Sequence, residues 1–401
     1  MGRFKGKSIL VGVSGGIAAY KAAELVRSFV KEGARVQVVM TANARQFITP
    51  LTLQVLSEQP VATDLFDLEL ESQIGHIQLA RAAHLVVVAP ATANVLAKAA
   101  AGVADDYLTT VLLATTAPVL FCPAMNSKMY EHAVTRRNIE ALREVGYFVL
   151  EPDSGFLACH EEGSGRLPDA EVILEAACRL LTEPTLKGRR VLVSAGPTWE
   201  PLDPVRFITN PSSGKMGYAV ARMAARRSAD VTLVSGPSTL QDPPGVATIR
   251  VKTAREMEQA ILERAPGMDV VIMTAAVGDY RPAAVAPQKI KKGAPELTLQ
   301  LVRNPDILAS LGRSRPPGVR QVLVGFAAET ENLLENARHK LTQKNLDLIV
   351  ANNLTETGAG FGADTNRVKI IDRAGAVEEV PVLSKDDVAC RILDRVESIL
   401  A

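Results

Sequence analysis

The sequence predicts an α/β protein made of two open, mostly parallel sheets, each with helices on both faces. Apolar runs typical of buried strands alternate with amphipathic helical runs, which is the pattern of a parallel sheet. The alternation stops at one polar, proline-containing connection and then starts again. The 401 residues suffice for two domains with a core each, and a hydrophobic share of 47% with only 4% aromatic residues predicts aliphatic cores.

In the first half, "SILVGV" predicts the opening strand, and residues 18–33, "AAYKAAELVRSFVKEG", predict a helix that ends at Gly33. Further strands are predicted at "RVQVVM", "HLVVVAP", "PVLFCP" and "YFVLEP". Helical runs separate them, and "AEVILEAACRLL" is the last helix of this half. Because these strands are almost continuously apolar, both faces of their sheet should be covered.

The domain boundary is predicted in residues 182–190, "TEPTLKGRR", where Pro and Gly flank a short polar connection. We therefore assign residues 1–183 to an N-terminal domain and residues 188–401 to a C-terminal domain. The second half has predicted strands at "RVLVSAGP", "DVTLVSGP", "DVVIMTAA", "RQVLVGFAAET" and "DLIVANN", and a helix near "GYAVARMAARR". It closes with strands at "RVKIIDR" and "VEEVPV" and an amphipathic helix from Lys385.

Charge and composition argue against several classes of partner. The net charge of +1 gives no overall attraction to nucleic acid or to an anionic membrane, so neither is expected. No apolar run is long enough for a membrane-spanning helix, and the N-terminus is typical of a strand rather than a signal peptide. The cysteines Cys122, Cys159, Cys178 and Cys390 do not have metal-ligand spacing. We expect free thiols in a reducing cytoplasm.

Glycine and polar residues follow the predicted strands of the first half, at the edge where doubly wound sheets bind ligands. "GVSGGIAAYK" is a glycine-rich turn whose N–H groups can face a phosphate. A tight turn that needs small residues explains this glycine segment equally well. The spacing of its glycines is not that of a dinucleotide-binding fingerprint. The strand ends offer hydroxyl and amide groups suited to a phosphorylated, uncharged ring system. These candidate cofactor-binding residues are Ser14, Gly15, Gly16, Ile17, Thr41, Pro90, Thr92, Asn94 and Asp106.

Three further residues each have a structural and a functional interpretation. His76 begins a short predicted helix in "IGHIQLAR", where an ordinary surface or core histidine is the commoner case. Asn126 follows a strand in "CPAMNSKMY", where capping the next helix would explain it. Cys159 lies in the glycine-rich run "GFLACHEEGSGR", as an ordinary surface residue or as a functional thiol that needs the same accessibility.

Together these segments resemble the flavin-dependent half of the bifunctional phosphopantothenoylcysteine decarboxylase/phosphopantothenate–cysteine ligase family of bacterial coenzyme A synthesis. The matching segments, in the family's order, are "SGGIAAYK", "GHIQLA", "APATAN", "ADDYLTT", "PAMNSKMY" and "ACHEEGSGR". The resemblance implies a flavodoxin-like flavoprotein domain that binds FMN. It also implies that His76 is the catalytic histidine near the flavin, that Asn126 holds the substrate carboxylate, and that Cys159 donates a proton.

The reaction implied by the resemblance oxidises the substrate's cysteinyl thiol to a thioaldehyde, releases CO₂ and reduces the resulting enethiolate, with no net redox change. The segment around Cys159 is then expected to close over the substrate. The chain departs from the family at His160, where Gly is usual, and at Tyr130, where Trp is common. We expect both changes to be tolerated, and the alternative for His160 is that it lowers the pKa of Cys159.

In the second half, the segment "SAGPTWEPLDPVRFITNPSSGKMG" is long, polar and proline-rich, and it ends at a helix. An ordinary connection is the simple interpretation, although loops of this length are uncommon unless they are functional. Its "SSGKMG" lacks the spacing of a phosphate-binding loop. Asp279 follows a strand, and Lys289, Lys291 and Lys292 come soon after it. Lysine runs are usually solvated surface, but lysines beside an acid also suit a triphosphate and its Mg²⁺.

These segments resemble the ligase half of the same family, a Rossmann-like domain. The resemblance implies that CTP activates the carboxylate of 4′-phosphopantothenate as an acyl-cytidylate, which the amine of cysteine then attacks. It implies catalytic roles for Asn210 and Lys289 and a metal-holding role for Asp279. The implied CTP site is Met273, Asp279, Lys289, Pro305, Asp306, Ile307, Leu308, Phe326, Lys340 and Lys344. Trp199 stands where the family usually has Arg, which would change affinity if that Arg binds phosphate.

Two other functions compete with this one. A flavin-binding regulatory protein on the same scaffold would lack His76, Asn126 or Cys159, but all three are present. A pair of NAD(P)-binding oxidoreductase domains would need a glycine fingerprint followed by an acidic residue, and the sequence has neither in that register. The resemblance also implies a homo-oligomer with trimeric contacts between decarboxylase domains and dimeric contacts between ligase domains, which a dodecamer would satisfy.

Overall fold

The computed structural model of the protein describes residues 2–66, 75–156, 162–291, 297–315, 318, 320–329, 331–353 and 362–401. Their contacts divide the chain into two units, Met1–Thr182 and Glu183–Ala401, each with its own hydrophobic clusters. Of the residues singled out above, Cys159, His160 and Lys292 lie outside the described residues.

A parallel sheet forms the centre of the N-terminal unit. Among the described residues its strands lie in the order β3-β2-β1-β4-β5-β6, so the direction of winding changes between β1 and β4. Each neighbouring pair is parallel. A separate antiparallel hairpin pairs β7 with β8. The strands are β1 Ser8–Val13, β2 Arg35–Met40, β3 Val61–Ala62, β4 Leu85–Ala91, β5 Val119–Pro123, β6 Phe148–Val149, β7 Asp153–Phe156 and β8 Glu162–Arg166.

Helices cover both faces of this sheet. They are α1 Ala22–Lys31, α2 Pro50–Ser57, α3 His76–Ala82, α4 Ala93–Ala101, α5 Tyr107–Ala114, α6 Ser127–Glu131, α7 Ala133–Glu144 and α8 Ala170–Leu181. Successive strand side chains point to opposite faces. Val11 therefore packs in the cluster that includes α1 and α8, whereas Leu10 packs in the cluster that includes α4, α5 and α7. Each fully buried aliphatic side chain contributes about 1.5–3 kcal/mol to folding.

The C-terminal unit has a larger, mixed sheet. In the described part of the unit, the strand order is β13-β12-β9-β14-β17-β18-β19-β20. The pairs from β13 to β18 are parallel, and β19 and β20 add to the edge antiparallel. Two small hairpins, β10 with β11 and β15 with β16, pair separately. The strands are β9 Arg190–Ala195, β10 Glu200–Pro201, β11 Phe207–Ile208, β12 Asp230–Ser235, β13 Val246–Arg250, β14 Val270–Met273, β15 Tyr280–Pro282, β16 Leu301–Arg303, β17 Val322–Glu329, β18 Leu348–Asn353, β19 Thr365–Asp372 and β20 Val377–Ser384.

Helices again lie on both faces of the C-terminal sheet. They are α9 Lys215–Arg226, α10 Ala254–Arg264, α11 Ile307–Ser314, α12 Leu333–Gln343 and α13 Lys385–Leu400. Val193 of β9 packs with α9 and α13, and its neighbour Leu192 packs with α10, α11 and α12. None of the helices in the described residues is long and apolar enough to cross a membrane.

The predicted fold class is confirmed in both halves, with differences at short elements. The helix predicted from residue 18 begins as a 3₁₀ turn, Ile17–Lys21, before the α-helix. The strands of the small hairpins, β7 with β8, β10 with β11 and β15 with β16, were not predicted, because they have two to five residues each and no apolar alternation. Strands β3 and β13 were also not predicted, because β3 is only two residues long and β13 lies half-buried at the sheet edge. The helix predicted from Lys385 is confirmed.

Helix α9 packs unusually close to the sheet at Gly217. A Cβ atom built there would lie 2.5 Å from Cβ of Ala195 and 2.9 Å from the carbonyl oxygen of Ser194. It would also lie 2.4 Å from Oγ1 of Thr274. Only glycine allows this approach, which places the first turn of α9 directly against the carboxyl end of β9.

We predict that Gly217→Ala destabilises the C-terminal unit by about 1–3 kcal/mol, the usual cost of overpacking. Alanine favours a helix over glycine by about 1 kcal/mol, which is too little to offset a clash with backbone. Urea unfolding followed by circular dichroism measures the change.

Gly278→Ala is the matched control, since its Cβ would lie 3.5 Å from Thr198 and Glu200, an ordinary contact. An unchanged unfolding midpoint in Gly217→Ala would mean that α9 can move away from the sheet without cost.

Candidate active sites in the two units

The first candidate site is a cleft of about 1170 Å³ at the carboxyl ends of the N-terminal strands. It lies beside β1 and β4, where the direction of winding changes, which is the position at which doubly wound sheets bind ligands. Its lining includes eight of the residues predicted from the sequence: Gly15, Gly16, Ile17, Thr41, Thr92, Asn94, Asp106 and Asn126. The sequence analysis missed Lys21, Asn43, Lys98, Met125, Met129 and Arg166, which line it as well.

The glycine turn after β1 forms one wall of the cleft. A Cβ on Gly15 would lie 2.4 Å from Cβ of Asn43 and 2.7 Å from its carbonyl carbon, so the loops after β1 and β2 touch there. A Cβ on Gly16 would lie 3.4 Å from Cγ2 of Thr92, which is an ordinary contact. The wall is therefore built from backbone, and Gly15 is the position that has no room for a side chain.

Ser14 and Pro90 support this wall rather than line it. The buried Ser14 hydroxyl donates to the carbonyl of Pro90 at 2.7 Å and accepts from the N–H of Thr92 at 3.0 Å. Thr92 in turn caps α4, where its hydroxyl accepts from the N–H of Val95 at 3.5 Å. The three residues fix the start of α4 beside the glycine turn.

Charged residues lie at another side of the same cleft. Asp106 caps α5 by accepting from the N–H of Thr109 at 2.9 Å. Lys98 donates to Asp105 at 2.7 Å and approaches Asp106 at 3.5 Å. The hydrogen bond to Asp105 raises the pKa of Lys98, and the same bond lowers the pKa of Asp105. Since the Asp105 side chain is exposed to solvent, its ion pair with Lys98 contributes little to stability.

Asn126 is the N-cap residue of α6, as the sequence predicts. Its Oδ1 accepts from the N–H of Lys128 at 2.9 Å. The next residue towards the N-terminus, Met125, donates its N–H to the carbonyl of Gly165 at 2.9 Å. This bond joins the loop that carries Asn126 to the β7–β8 hairpin. Cys159 lies outside the described residues.

His76 does not line the cleft of its own chain. It begins α3, as predicted, and its ring lies 6.3 Å from the ring of Tyr107 in an edge-on arrangement. The structure therefore brings Asn126 and the glycine turn together but leaves His76 elsewhere.

The second candidate site is a cleft of about 770 Å³ at the carboxyl ends of β14, β17 and β18 in the C-terminal unit. The residues predicted from the sequence that line it are Asn210, Met273, Asp279, Pro305, Asp306, Ile307, Leu308, Phe326 and Lys344. Its lining also includes Ser212, Ser213, Gly214, Lys215, Asn304, Asn352, Asn366 and Lys385, which were not assigned from the sequence.

Asn210 holds the loop that follows β14. Its Nδ2 donates to the carbonyls of Ala276 and Val277 at 3.1 and 3.3 Å. The hydroxyl of Thr198 accepts from the N–H of Gly278 at 3.0 Å on the same loop. These bonds fix the backbone just before Asp279, whose own carbonyl accepts from the N–H of Asn304.

Asp306 and Lys344 form an ion pair at the rim of the second cleft. Asp306 caps α11 by accepting from the N–H of Ala309 at 3.0 Å, and Lys344 Nζ lies 2.9 Å from its carboxylate. Desolvation raises the pKa of Asp306, but the Ala309 N–H and the Lys344 ammonium together hold it below its usual range. The carboxylate is therefore ionised at neutral pH.

Two lysines that the sequence analysis missed make one end of this cleft basic. Lys215, in the first turn of α9, donates to Asp364 at 2.6 Å and to the carbonyl of Gly362 at 2.8 Å. Lys385 begins α13, is only 9% exposed, and donates to the carbonyl of Ala363 at 2.5 Å. Burial and the nearby Lys215 lower the pKa of Lys385.

Lys289 and Lys340, assigned to the nucleotide site from the sequence, do not line this cleft. Lys340 pairs with Glu329 at 2.6 Å, and Lys289 is exposed. In the ranges that the structure describes, no three His, Cys, Asp or Glu side chains come together as a metal centre. Of the two carboxylates that line the cleft, Asp306 is paired with Lys344, and Asp279 is the candidate ligand for Mg²⁺ held mainly by substrate phosphates.

Sequence models of two known families match the two units. The family described as "Flavoprotein" matches residues 2–182, and the one described as "DNA/pantothenate metabolism flavoprotein C-terminal domain" matches residues 186–400.

Relatives match over almost the whole length. The coenzyme A biosynthesis bifunctional protein CoaBC of Bacillus subtilis is 49% identical over 397 residues, which is 98% of this chain and 97% of the relative. The chain belongs to this family of bifunctional coenzyme A biosynthesis proteins. The Escherichia coli K12 member is 47% identical over 395 residues, covering 98% and 97%. A crystal structure of the C-terminal domain of a CoaBC protein is 43% identical, covers 54% of this chain and 98% of its own, and has a TM-score of 0.47.

Membership of the bifunctional coenzyme A biosynthesis family makes the chain an enzyme with decarboxylase and ligase activities. The flavoprotein match lies on the unit that has the glycine-walled cleft, and the second match lies on the unit that has the basic cleft. A regulatory protein without catalysis is not favoured, because the relatives that match both units together are bifunctional biosynthetic proteins.

We predict that Gly15→Ala weakens flavin binding in this coenzyme A biosynthesis enzyme. The added methyl group must displace the loop after β2, at a cost of about 1–3 kcal/mol. That cost corresponds to roughly a 5- to 150-fold increase in Kd. Visible flavin absorbance of the purified protein, followed by flavin titration, measures the loss.

Gly16→Ala is the control, because its Cβ has room beside Thr92. If the two variants retained flavin equally, the close approach at Gly15 would have no role in binding.

Proposed function

We propose that the decarboxylase uses FMN bound in the N-terminal cleft and that the ligase uses CTP with Mg²⁺ in the C-terminal cleft. In this proposal the ligase joins cysteine to 4′-phosphopantothenate, and the decarboxylase converts the resulting phosphopantothenoylcysteine to 4′-phosphopantetheine. The observation that carries it is the pair of separate strand-end clefts, one walled by glycine backbone and one with a basic end.

In the N-terminal cleft, the glycine turn and the start of α4 would hold FMN. Gly15, where no side chain fits, leaves a wall of bare backbone that suits a flat ring and its phosphate. FMN supplies a reversible two-electron acceptor for the substrate's cysteinyl carbon. The amide of Asn126 holds the substrate carboxylate at the end of the cleft next to the β7–β8 hairpin. Cys159 gives its proton to the enethiolate carbon.

The role proposed for His76 requires a second subunit. Because His76 lies outside the cleft of its own chain, a flavin held in that cleft would meet the His76 of a neighbouring subunit in a trimer. The exposed side chains of Ile17, Tyr20 and Ile77 supply apolar surface for such a contact. Dimeric contacts between ligase units would complete a larger assembly, and a dodecamer satisfies both symmetries.

In the C-terminal cleft, the polar strand-end loops suit a nucleoside triphosphate. Lys215 and Lys385 provide positive charge for phosphates at one end. Asp279, on the loop after β14, would share Mg²⁺ with those phosphates. Phe326 and the segment from Pro305 to Leu308, which also line the cleft, would hold the cytidine.

The ligase reaction then has two steps. The substrate carboxylate attacks the α-phosphorus of CTP, which releases pyrophosphate and leaves an acyl-cytidylate. The cysteine amine attacks the acyl carbon, and CMP leaves. Asn210 contacts the acyl-cytidylate, and Lys289 stabilises the negative charge that develops as each leaving group departs.

We place these reactions in the cytoplasm. Cys122 and Cys390 are free thiols, which suits a reducing compartment.

The direct test gives the purified protein 4′-phosphopantothenate, cysteine, Mg²⁺ and either CTP or ATP, with mass detection of the products. A flavin spectrum, release of CO₂ and formation of 4′-phosphopantetheine with CTP are expected. Equal turnover with ATP would contradict the nucleotide assignment, and accumulation of phosphopantothenoylcysteine would point to a defective decarboxylase.

We predict that Cys159→Ser keeps its flavin and its ligase activity but halts the decarboxylase reaction after CO₂ release and before the final reduction. The reason is that a serine hydroxyl is a far weaker acid than a thiol. Product mass spectrometry of phosphopantothenoylcysteine turnover measures this. Cys390→Ser, in the other unit, serves as the control. Full 4′-phosphopantetheine formation by Cys159→Ser would remove Cys159 from the mechanism.

We predict that Lys289→Gln impairs ligation by roughly 10²–10³-fold, the usual loss when a charge-stabilising donor is removed. Pyrophosphate and CMP release are measured separately, to show which step is slowed. Lys369→Gln, on β19 and outside the cleft, is the control. Decarboxylation of added phosphopantothenoylcysteine should be unchanged, and a parallel loss of both activities would contradict two independent sites.

A further inference from the structure

Asp203 is a buried carboxylate that closes the turn between β10 and β11. Its side chain has no exposed surface. One oxygen, Oδ1, accepts from the backbone N–H groups of Val205 and Arg206, each at 2.8 Å. The other, Oδ2, accepts from Nε and Nη2 of Arg206 at 3.0 and 2.5 Å. The turn itself is therefore already closed through Oδ1.

The same pair of side chains also holds a distant segment. The N–H of Ile290 donates to Oδ2 of Asp203 at 3.0 Å, across 87 residues of sequence. The carbonyl of Ile290 accepts from Nη2 of Arg206 at 2.7 Å. Both backbone groups of one residue are thus bound by one ion pair, and a backbone bond from Ala286 to Leu202 at 2.9 Å lies beside it.

The electrostatics keep this pair charged. Desolvation raises the pKa of Asp203, but the hydrogen bonds from Arg206, Ile290 and Val205 outweigh it and hold the pKa well below its usual range. The Arg206 side chain is 41% exposed, so solvent screens its attraction to Asp203 and the ion pair contributes little net stability. The five donors to the Asp203 carboxylate therefore indicate that its main role is to hold the backbone at Ile290 in place, rather than to add stability.

The residue that the pair holds lies next to the lysine proposed for ligation. Ile290 follows Lys289 directly, and the Lys289 side chain is exposed outside the cleft. The chain from Asp203 continues to Asn210, which fixes the loop after β14. One short stretch of sequence therefore anchors two loops of the ligase.

We propose that Asp203 and Arg206 are positioning residues of the ligase, which fix the backbone at Ile290 so that Lys289 is presented to the reacting substrate. This inference rests on the proposed role of Lys289. The competing account is that the pair only stabilises the fold of the C-terminal unit.

The first experiment measures pyrophosphate and CMP release by full-length Asp203→Asn and Arg206→Lys. The amide introduced by Asp203→Asn cannot accept from Arg206 and Ile290 as the carboxylate does, and a displacement of about 1 Å near the chemistry costs on the order of 10²-fold. We expect that loss in kcat for the step that depends on Lys289, with the KM for CTP nearly unchanged. Arg206→Lys keeps the charge but loses the planar fork, and it provides a milder variant if Asp203→Asn folds poorly.

The second experiment combines Asp203→Asn with Lys289→Gln. If the pair acts through Lys289, the double variant should be within about threefold of Lys289→Gln alone, because coupled residues are non-additive. If the pair only supports the fold, the two losses should multiply. Asp347→Asn is the matched control, since Asp347 is also a largely buried carboxylate that binds arginines and a backbone N–H in the same unit.

The outcomes separate the two proposals. Full ligation by Lys289→Gln would overturn the role of Lys289. If Lys289→Gln is impaired in ligation while Asp203→Asn and Arg206→Lys are fully active, the positioning role of Asp203 and Arg206 is overturned and the role of Lys289 stands. Multiplied losses, or an equal loss in Asp347→Asn, would also overturn the positioning role.

Discussion

Close backbone approach at the carboxyl ends of the central strands is the constraint on which both clefts depend. In the N-terminal unit, the loops after β1 and β2 meet at Gly15, which leaves a wall of bare backbone. In the C-terminal unit, Gly217 lets the first turn of α9 press against the end of β9. Parallel strands bring their loops to one edge of the sheet. At Gly15 and Gly217 the absence of a side chain lets neighbouring elements approach closely enough to form the walls of the two clefts.

Much of the fold could be predicted because the central strands are buried on both faces and therefore almost wholly apolar. The burial of every residue from Leu85 to Ala91 shows this. The two-residue strand β3 and the half-buried edge strand β13 carry no such pattern, so sequence reasoning missed them. Asn126 and His76 were placed correctly at helix starts, since capping and periodicity are local signals that need no tertiary information.

The sites were less accessible to sequence reasoning, because lining a cleft depends on side-chain direction. Ser14 and Pro90 lie at the strand ends beside the first cleft, but they hydrogen-bond to each other and do not line it. Lys385 was recognised only as the start of a helix, and tertiary folding brings it to Lys215 and the strand-end loops. The "SSGKMG" segment was set aside for its spacing, although Ser212 to Gly217 line the second cleft. Motif spacing identifies known loops, but it does not detect a helix start that folding alone brings to a site.

Each unit has its own hydrophobic clusters and its own cleft, so neither fold needs residues of the other for its core. A single polypeptide then has a consequence beyond the chemistry of either site. It fixes the stoichiometry of the two catalysts at one to one in every cell, whatever the rate of gene expression. Any imbalance between making and consuming the shared intermediate must therefore be set by the turnover numbers of the two sites, and not by the relative abundance of two proteins.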